Sequence, residues 1–118
     1  MIYQDYQIKG LEKLANSFAI KTIYPMVEDI KISRPDDQPY LSQGRELWNI
    51  DIFVNDPKIV DTESMYDAEL DPHYLIDYHL VHLLPYLNID QKKLPLMDFV
   101  VWNTDGNSIY SWSDWNKR

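Results

Sequence analysis

The sequence predicts an α+β fold, a single domain of residues 1–118 in which a four-stranded, mainly antiparallel sheet carries two helices on one face. Apolar residues recur every three or four positions in residues 5–19 and 71–87, a spacing typical of amphipathic helices. They alternate with polar residues in residues 26–33 and 46–55, a spacing typical of strands. With a C-terminal hairpin, the elements follow the order αββαββ. Each helix has one apolar side, so one face of the sheet should cover both.

The N-terminal half is predicted to contain one helix and two strands. Gly10 either weakens the helix by up to about 1 kcal/mol relative to alanine or permits a close contact, and Pro25 stops any extension. A long exposed loop rich in proline, aspartate and glycine separates the two strands. The second strand is the clearest in the chain, and its core face should consist of Trp48, Ile50, Ile52 and Val54.

Residues 71–87, with the sequence DPHYLIDYHLVHLLPYL, form the predicted central helix. Asp71 is suited to the N-cap, and Pro72 fits the first helical position because it needs no hydrogen-bond partner there. Pro85 should stop or kink the helix. Before this helix, Asp61 or Ser64 could cap a short helical turn.

The C-terminal region reads as a hairpin with Asp105 and Gly106 in its turn, because glycine supplies the positive φ that a tight hairpin needs. The sheet face away from the helices should be open and carry Leu47 and Phe53 beside Asn49 and Asp51. Such a half-apolar face is a candidate homodimer surface.

Composition excludes several classes of function. The chain has no cysteine, so it has neither disulfides nor thiolate metal sites, and we expect a cytoplasmic protein. The first residues lack the basic head and apolar run of a secretory leader, and no apolar run is long enough to span a membrane, so we expect neither export nor membrane insertion. A net charge of −8 repels phosphate backbones and argues against nucleic-acid binding. We expect neither a cofactor nor a resident metal.

The negative charge is concentrated in one segment. No Lys or Arg lies between Lys58 and Lys92. This segment is either a solvated surface that aids solubility or a docking surface for a basic protein. Near the C-terminus, aromatic side chains are unusually dense, and they either close the core or anchor a partner. The predicted partner-binding residues are Asp61, Glu63, Asp67, Glu69, Asp71, Tyr110, Trp112 and Trp115.

His73 and Asp77 lie one helical turn apart, a spacing used for metal ligands, but no third ligand is evident in the sequence. The leading hypothesis is therefore a small, acidic, non-enzymatic protein-interaction module that binds a basic partner. An immunity protein, an inhibitor or a phage-encoded accessory protein would fit this description. Two alternatives stay open: a metal-dependent hydrolase that uses His73 and Asp77, and a homo-oligomeric assembly protein.

Overall fold

The computed structural model describes residues 3–35, 41–42 and 45–113. The strands are β1 (Val27–Ser33), β2 (Leu41–Ser42), β3 (Arg45–Val54), β4 (Leu96–Trp102) and β5 (Ser108–Ser113). The helices are α1 (Asp5–Ala15), α2 (Phe18–Ile23), α3 (Thr62–Asp67), a central helix of residues 72–87 and a 3₁₀ turn at Gln91–Lys93. The predicted α+β class is confirmed. None of the helices in the described ranges is long and apolar enough to cross a membrane.

The prediction of a mainly antiparallel sheet is wrong, because its central pair of strands is parallel. Four strands lie in the order β1-β3-β4-β5, and the short β2 pairs with the start of β3. The β1–β3 and β4–β5 pairs are antiparallel, whereas β3 and β4 run in the same direction with Ile50 opposite Phe99. The reason is the long connection of residues 55–95, whose helices carry the chain back across the sheet to the end where β3 begins. The sheet is therefore mixed.

The predicted core face of β3 is confirmed. Trp48, Ile50 and Ile52 are almost completely buried. They share one hydrophobic core with Leu11 of α1 and Leu80 of the central helix, so both predicted helices pack on this face of the sheet. Two short helices accompany them: α3, the helical turn for which Asp61 was a predicted cap, and α2, which follows a break in the first predicted helix.

The first predicted helix is broken into α1 and α2 at Asn16 because this side chain bonds to the outer edge of β1. Its amide nitrogen donates to the carbonyl oxygen of Ile30 at 2.8 Å, and its amide oxygen accepts from the Ile30 N–H at 2.9 Å. The Glu12 carboxylate accepts from the N–H of Ile32 at 2.9 Å. The helix side chains thus occupy backbone groups that an edge strand would otherwise leave unpaired.

Helix α1 crosses the end of the central helix at a close contact. Gln7 donates a hydrogen bond of 2.9 Å from its side-chain amide to the carbonyl oxygen of Leu87. A Cβ atom added at Gly10 would lie only 2.5 Å from Cδ2 of Leu87. The close contact anticipated for Gly10 is therefore present.

The start of the central helix is also as predicted. The Asp71 carboxylate accepts hydrogen bonds from the backbone N–H groups of His73 at 3.0 Å and Tyr74 at 3.3 Å. Pro72 is the first helical residue. These contacts cap the central helix directly after the acidic residues 61–71.

Beyond its first turn, the central helix departs from α geometry. Leu75–Leu80 form a π-helical segment and Val81–Leu87 a 3₁₀ segment. Pro85 lies inside the 3₁₀ segment, and the helix ends at Asn88, whose backbone is left-handed with φ 60°. Of the two outcomes expected at Pro85, a stop or a kink, the stop does not occur, because the helix continues to Leu87 in 3₁₀ geometry. Segments of π-helix are rare and occur frequently at functional sites.

Glu46 is a completely buried carboxylate on β3. Its Oε1 atom lies 2.5 Å from Nε of Arg34 and accepts a hydrogen bond of 3.1 Å from the indole N–H of Trp48. Arg34 also bonds to Asp5 and to the carbonyl oxygen of Tyr3. The ion pair therefore ties the N-terminal residues and the end of β1 to the centre of the sheet.

We expect Ile50→Ala and Leu80→Ala each to lower the free energy of unfolding by about 2–5 kcal/mol, because both remove fully buried methyl groups and leave cavities. Phe53→Ala should cost less, since Phe53 lies half-buried on the opposite sheet face. Urea denaturation of the three variants measures these differences. A larger loss at Phe53 than at Ile50 would contradict the assignment of the two faces.

Arg34→Ala should lower the free energy of unfolding by about 3–5 kcal/mol, because the Glu46 carboxylate would stay buried without its cation. The double variant Arg34→Met with Glu46→Leu should cost less than this single change, since it removes both charges. Urea denaturation at neutral pH compares the two. A double variant less stable than Arg34→Ala would show that the ion pair itself is strongly stabilising.

Candidate functional site

The acidic residues 61–71 include a short, capped helix, α3, at the surface. Asp61 is the N-cap of α3: its carboxylate accepts from the Ser64 N–H at 2.8 Å, and the Ser64 hydroxyl lies 3.1 Å from the Asp61 nitrogen. The hydrogen bond from the Ser64 backbone lowers the pKa of Asp61. All five predicted carboxylates are exposed: Asp61, Glu63, Asp67, Glu69 and Asp71. The segment therefore presents fixed negative charge to solvent.

Helix α3 lies against strand β5, so the acidic segment and the C-terminal aromatic side chains adjoin. The Thr62 hydroxyl donates a hydrogen bond of 2.6 Å to the carbonyl oxygen of Ile109. One turn later, the ring of Tyr66 packs edge-on against Tyr110, with 6.2 Å between ring centroids. We call the carboxylates of residues 61–71, together with the rings of Tyr66 and Tyr110, the acidic–aromatic surface.

The Tyr110 side chain joins this surface to the central helix. Its hydroxyl lies 2.5 Å from Nε2 of His73. Burial raises the pKa of Tyr110 to about 12, and a hydrogen bond with Tyr66 and the charge of Asp71 add to the shift. The phenol therefore keeps its proton at neutral pH, which makes it a hydrogen-bonding group that orients Tyr66 and His73.

The predicted aromatic residues do not all contribute in the same way. Tyr110 and Trp112 are half-buried and pack against the core. Trp112 contacts the His73 ring with 4.9 Å between centroids. Trp115 lies outside the described residues. Tyr66, which the sequence did not single out, is the exposed ring of the group, with 43% of its surface accessible.

His73 and Asp77 do not form a metal centre with a third residue among the described side chains. In those parts of the chain, no group of three or more His, Cys, Asp or Glu side chains could hold a metal ion. Nε2 of His73 is instead hydrogen-bonded to Tyr110, and the His73 ring packs on Phe99 with 5.2 Å between centroids.

The open face of the sheet carries contacts among its own side chains. Phe53 and Trp102 lie nearly parallel with centroids 6.5 Å apart, and the Lys31 ammonium is 5.5 Å from the Phe53 centroid. The Trp102 indole donates to Asp51 at 2.9 Å. Leu47, predicted to be on this face, is buried. Dimerisation through the open face stays a prediction.

His79 lies in the π-helical segment, within an aromatic cage. Its ring contacts Tyr24, Tyr74 and Tyr78, with centroids 5.5, 5.4 and 5.1 Å away. Its Nε2 atom is buried and has no hydrogen-bond partner among the described residues. Burial, and then the proximity of His82, lower the pKa of His79.

Comparison with known proteins identifies no relative. No family model, no curated protein and no solved structure matches the chain. Function must therefore be inferred from the surfaces of the molecule itself, and the acidic–aromatic surface combines the most charge with an exposed ring.

We expect His79 to make the fold less stable in mild acid. Because the pKa of His79 is lowered in the folded state, the unfolded chain binds the proton more tightly, and stability falls as the pH drops below about 6.5. The groups facing His79 are Tyr24, Tyr74, Tyr78 and His82, and none of these is a carboxylate that could stabilise the imidazolium. His79→Phe should flatten the pH profile of urea denaturation between about pH 7 and 5, whereas His82→Gln should not. An unchanged slope in His79→Phe would contradict this role.

Proposed function

We propose that the chain is a non-enzymatic protein-interaction module that binds a basic protein through its acidic–aromatic surface. The observation that carries the proposal is the contact between α3 and β5. The hydrogen bond from Thr62 to Ile109 holds α3, with its exposed carboxylates and the accessible ring of Tyr66, against Tyr110 of β5. A docking surface needs both long-range attraction and a contact that holds the partner, and this arrangement supplies the two side by side.

The charge distribution supports the same proposal. Every formal charge between Lys58 and Lys92 is negative, apart from any charge on the three histidines. The capping box at Asp61 and Ser64 keeps α3 ordered without using the carboxylates of Glu63 and Asp67. These two side chains are therefore available to attract a cationic partner.

The rings give the encounter its specificity. A lysine or arginine of the partner can lie over the face of Tyr66, where the ring quadrupole attracts a cation by about 0.5–1 kcal/mol at an exposed site. The Tyr110 hydroxyl, held against His73, restricts the orientation of the neighbouring ring. An immunity protein, an inhibitor or a phage-encoded accessory protein would work in this way. We place the encounter in the cytoplasm because a chain without cysteine suits a reducing compartment.

Glu63→Lys combined with Asp67→Lys should lower the association rate of the partner by roughly tenfold or more, because these carboxylates steer the partner at long range. The partner is first isolated by capture from extract of the native host on immobilised protein and identified by mass spectrometry. Stopped-flow kinetics with the purified partner then measure association over a range of salt concentrations. The double variant should also show a weaker salt dependence, and Tyr66→Ala should chiefly raise the dissociation rate.

A matched control carries the same charge change elsewhere. Glu28→Lys combined with Asp105→Lys reverses two exposed carboxylates, one on edge strand β1 and one in the hairpin turn. This control should associate much faster than the α3 double variant. Equal association rates for the two double variants, or an association rate that does not depend on salt, would contradict the proposal. The carboxylates of α3 would then be a solvated surface that aids solubility.

A further inference from the structure

A second surface lies on the open face of the sheet and shares no residue with the acidic–aromatic surface. The strand register aligns Asp29, Phe53 and Trp102 in one row across β1, β3 and β4. In the next row, Lys31 lies opposite Asp51. These side chains point away from the core because their immediate neighbours in sequence belong to it. Helices α1, α2, α3 and the central helix bury their apolar side chains in that core, on the other face of the sheet.

Two aromatic rings form the centre of this surface. The planes of the Phe53 and Trp102 rings differ by only 15°, and their centroids are 6.5 Å apart. Both side chains are half-buried, so the sheet holds them while part of each stays accessible. The indole N–H of Trp102 donates to Asp51 at 2.9 Å, which restricts the orientation of the larger ring. Two such rings are suited to stack on successive rings of a ligand chain.

An open recess of about 360 Å³ adjoins the ring pair. Phe53 supplies its aromatic wall, and Glu28, Asp29 and Lys31 complete the lining. This volume falls within the range of small-molecule sites, about 300–1,000 Å³. Carboxylates accept hydrogen bonds and the ammonium donates them, so the recess offers both kinds of partner beside an aromatic ring. A sugar hydroxyl both donates and accepts, and it therefore matches this lining.

The charges of this surface exclude other classes of ligand. Glu28, Asp29 and Asp51 are negative and Lys31 is positive, so the surface repels phosphates and other anions. A cation would meet a like charge at the Phe53 ring, because the Lys31 ammonium already lies 5.5 Å from its centroid. A second copy of the chain would bring the same carboxylates face to face. A purely apolar ligand would cover the carboxylates without pairing them. A neutral ligand rich in hydroxyl groups avoids all four penalties.

We propose that this surface binds a neutral polysaccharide, with successive sugar rings stacked on Trp102 and Phe53 and the sugar at Phe53 seated in the recess. The C–H groups on one face of a sugar ring carry partial positive charge, and they pack on the negative face of an aromatic ring. The hydroxyl groups at the rim of the sugar bond to Asp29, Lys31 and Asp51. The proposal is independent of the basic partner and does not use α3.

Salt should separate the two interactions. A neutral sugar brings no formal charge, so its binding should not change as salt is added. Binding of a basic protein to the carboxylates of α3 should weaken under the same conditions, because salt screens exposed charges. The salt response therefore shows which surface is engaged.

Native electrophoresis of the full chain through gels that contain a soluble polysaccharide tests the proposal. The neutral probes are hydroxyethyl cellulose, arabinoxylan, galactomannan and amylopectin, and the acidic probe is polygalacturonate. An acidic reference protein without affinity for sugars corrects for the viscosity of each gel. At least one neutral polysaccharide should retard the chain, whereas polygalacturonate should not, because the carboxylates of the surface repel it.

Substitutions on the open face test the contact itself. Phe53→Ala and Trp102→Ala should each raise the dissociation constant for the retarding polysaccharide by about tenfold or more, since each removes a stacking ring. Circular dichroism checks that both variants are folded. Lys31→Ala, at an exposed position, removes a hydrogen-bond donor without removing a core contact and should also weaken binding. Tyr86→Ala is the matched control: it removes a ring that is 80% exposed on the central helix and should leave the retardation unchanged.

Three results would overturn the proposal. The first is the absence of retardation by all of the neutral polysaccharides. The second is retardation that survives both Phe53→Ala and Trp102→Ala, or that disappears as salt is added. The third comes from sedimentation equilibrium: a wild-type dimer that Lys31→Glu dissociates would show that a second copy of the chain covers this face instead of a sugar.

Discussion

The parallel pairing of β3 with β4 is the constraint on which the remaining architecture depends. Parallel neighbours cannot be joined by a hairpin, so the chain must cross over the sheet between residues 54 and 96. The crossover places the central helix over the buried face and leaves the acidic segment at its entrance. It also puts the two most apolar strands at the centre and the hairpin strand β5 at an edge, where α3 can contact it.

The secondary structure was largely predictable, because its signals are local. The alternation that buries Ile50 and Ile52, the Asp71 cap and the Asp105–Gly106 turn each involve neighbouring residues. Strand direction is not local: alternation shows which face of a strand is buried but not which strand lies beside it. The helical pattern between two strands is nevertheless a sequence signal for a crossover between parallel neighbours. A period near 3.6 residues also cannot distinguish α-helix from the π-helical segment around His79.

The candidate surfaces were predictable to different degrees. The absence of Lys and Arg over a long stretch is visible in the sequence, and the structure places the carboxylates of residues 61–71 in that stretch at the surface. Tyr66 was missed because one tyrosine inside an acidic segment has no periodic partner. The break between α1 and α2 was missed because it arises from a tertiary contact of Asn16 with Ile30. Without the break, Phe18 would simply continue the first helix.

The side chains along the two outer strands also determine how far association between copies can proceed. Asn16 and Glu12 occupy backbone groups on β1, and Thr62 occupies a carbonyl oxygen on β5. Unpaired strand edges are the templates on which sheets of different molecules join into ribbons and fibres. Because both outer strands carry side-chain hydrogen bonds, their edges offer a poor template for such growth. These hydrogen bonds thus leave fewer free backbone groups on the two edges at which pairing with another molecule would begin.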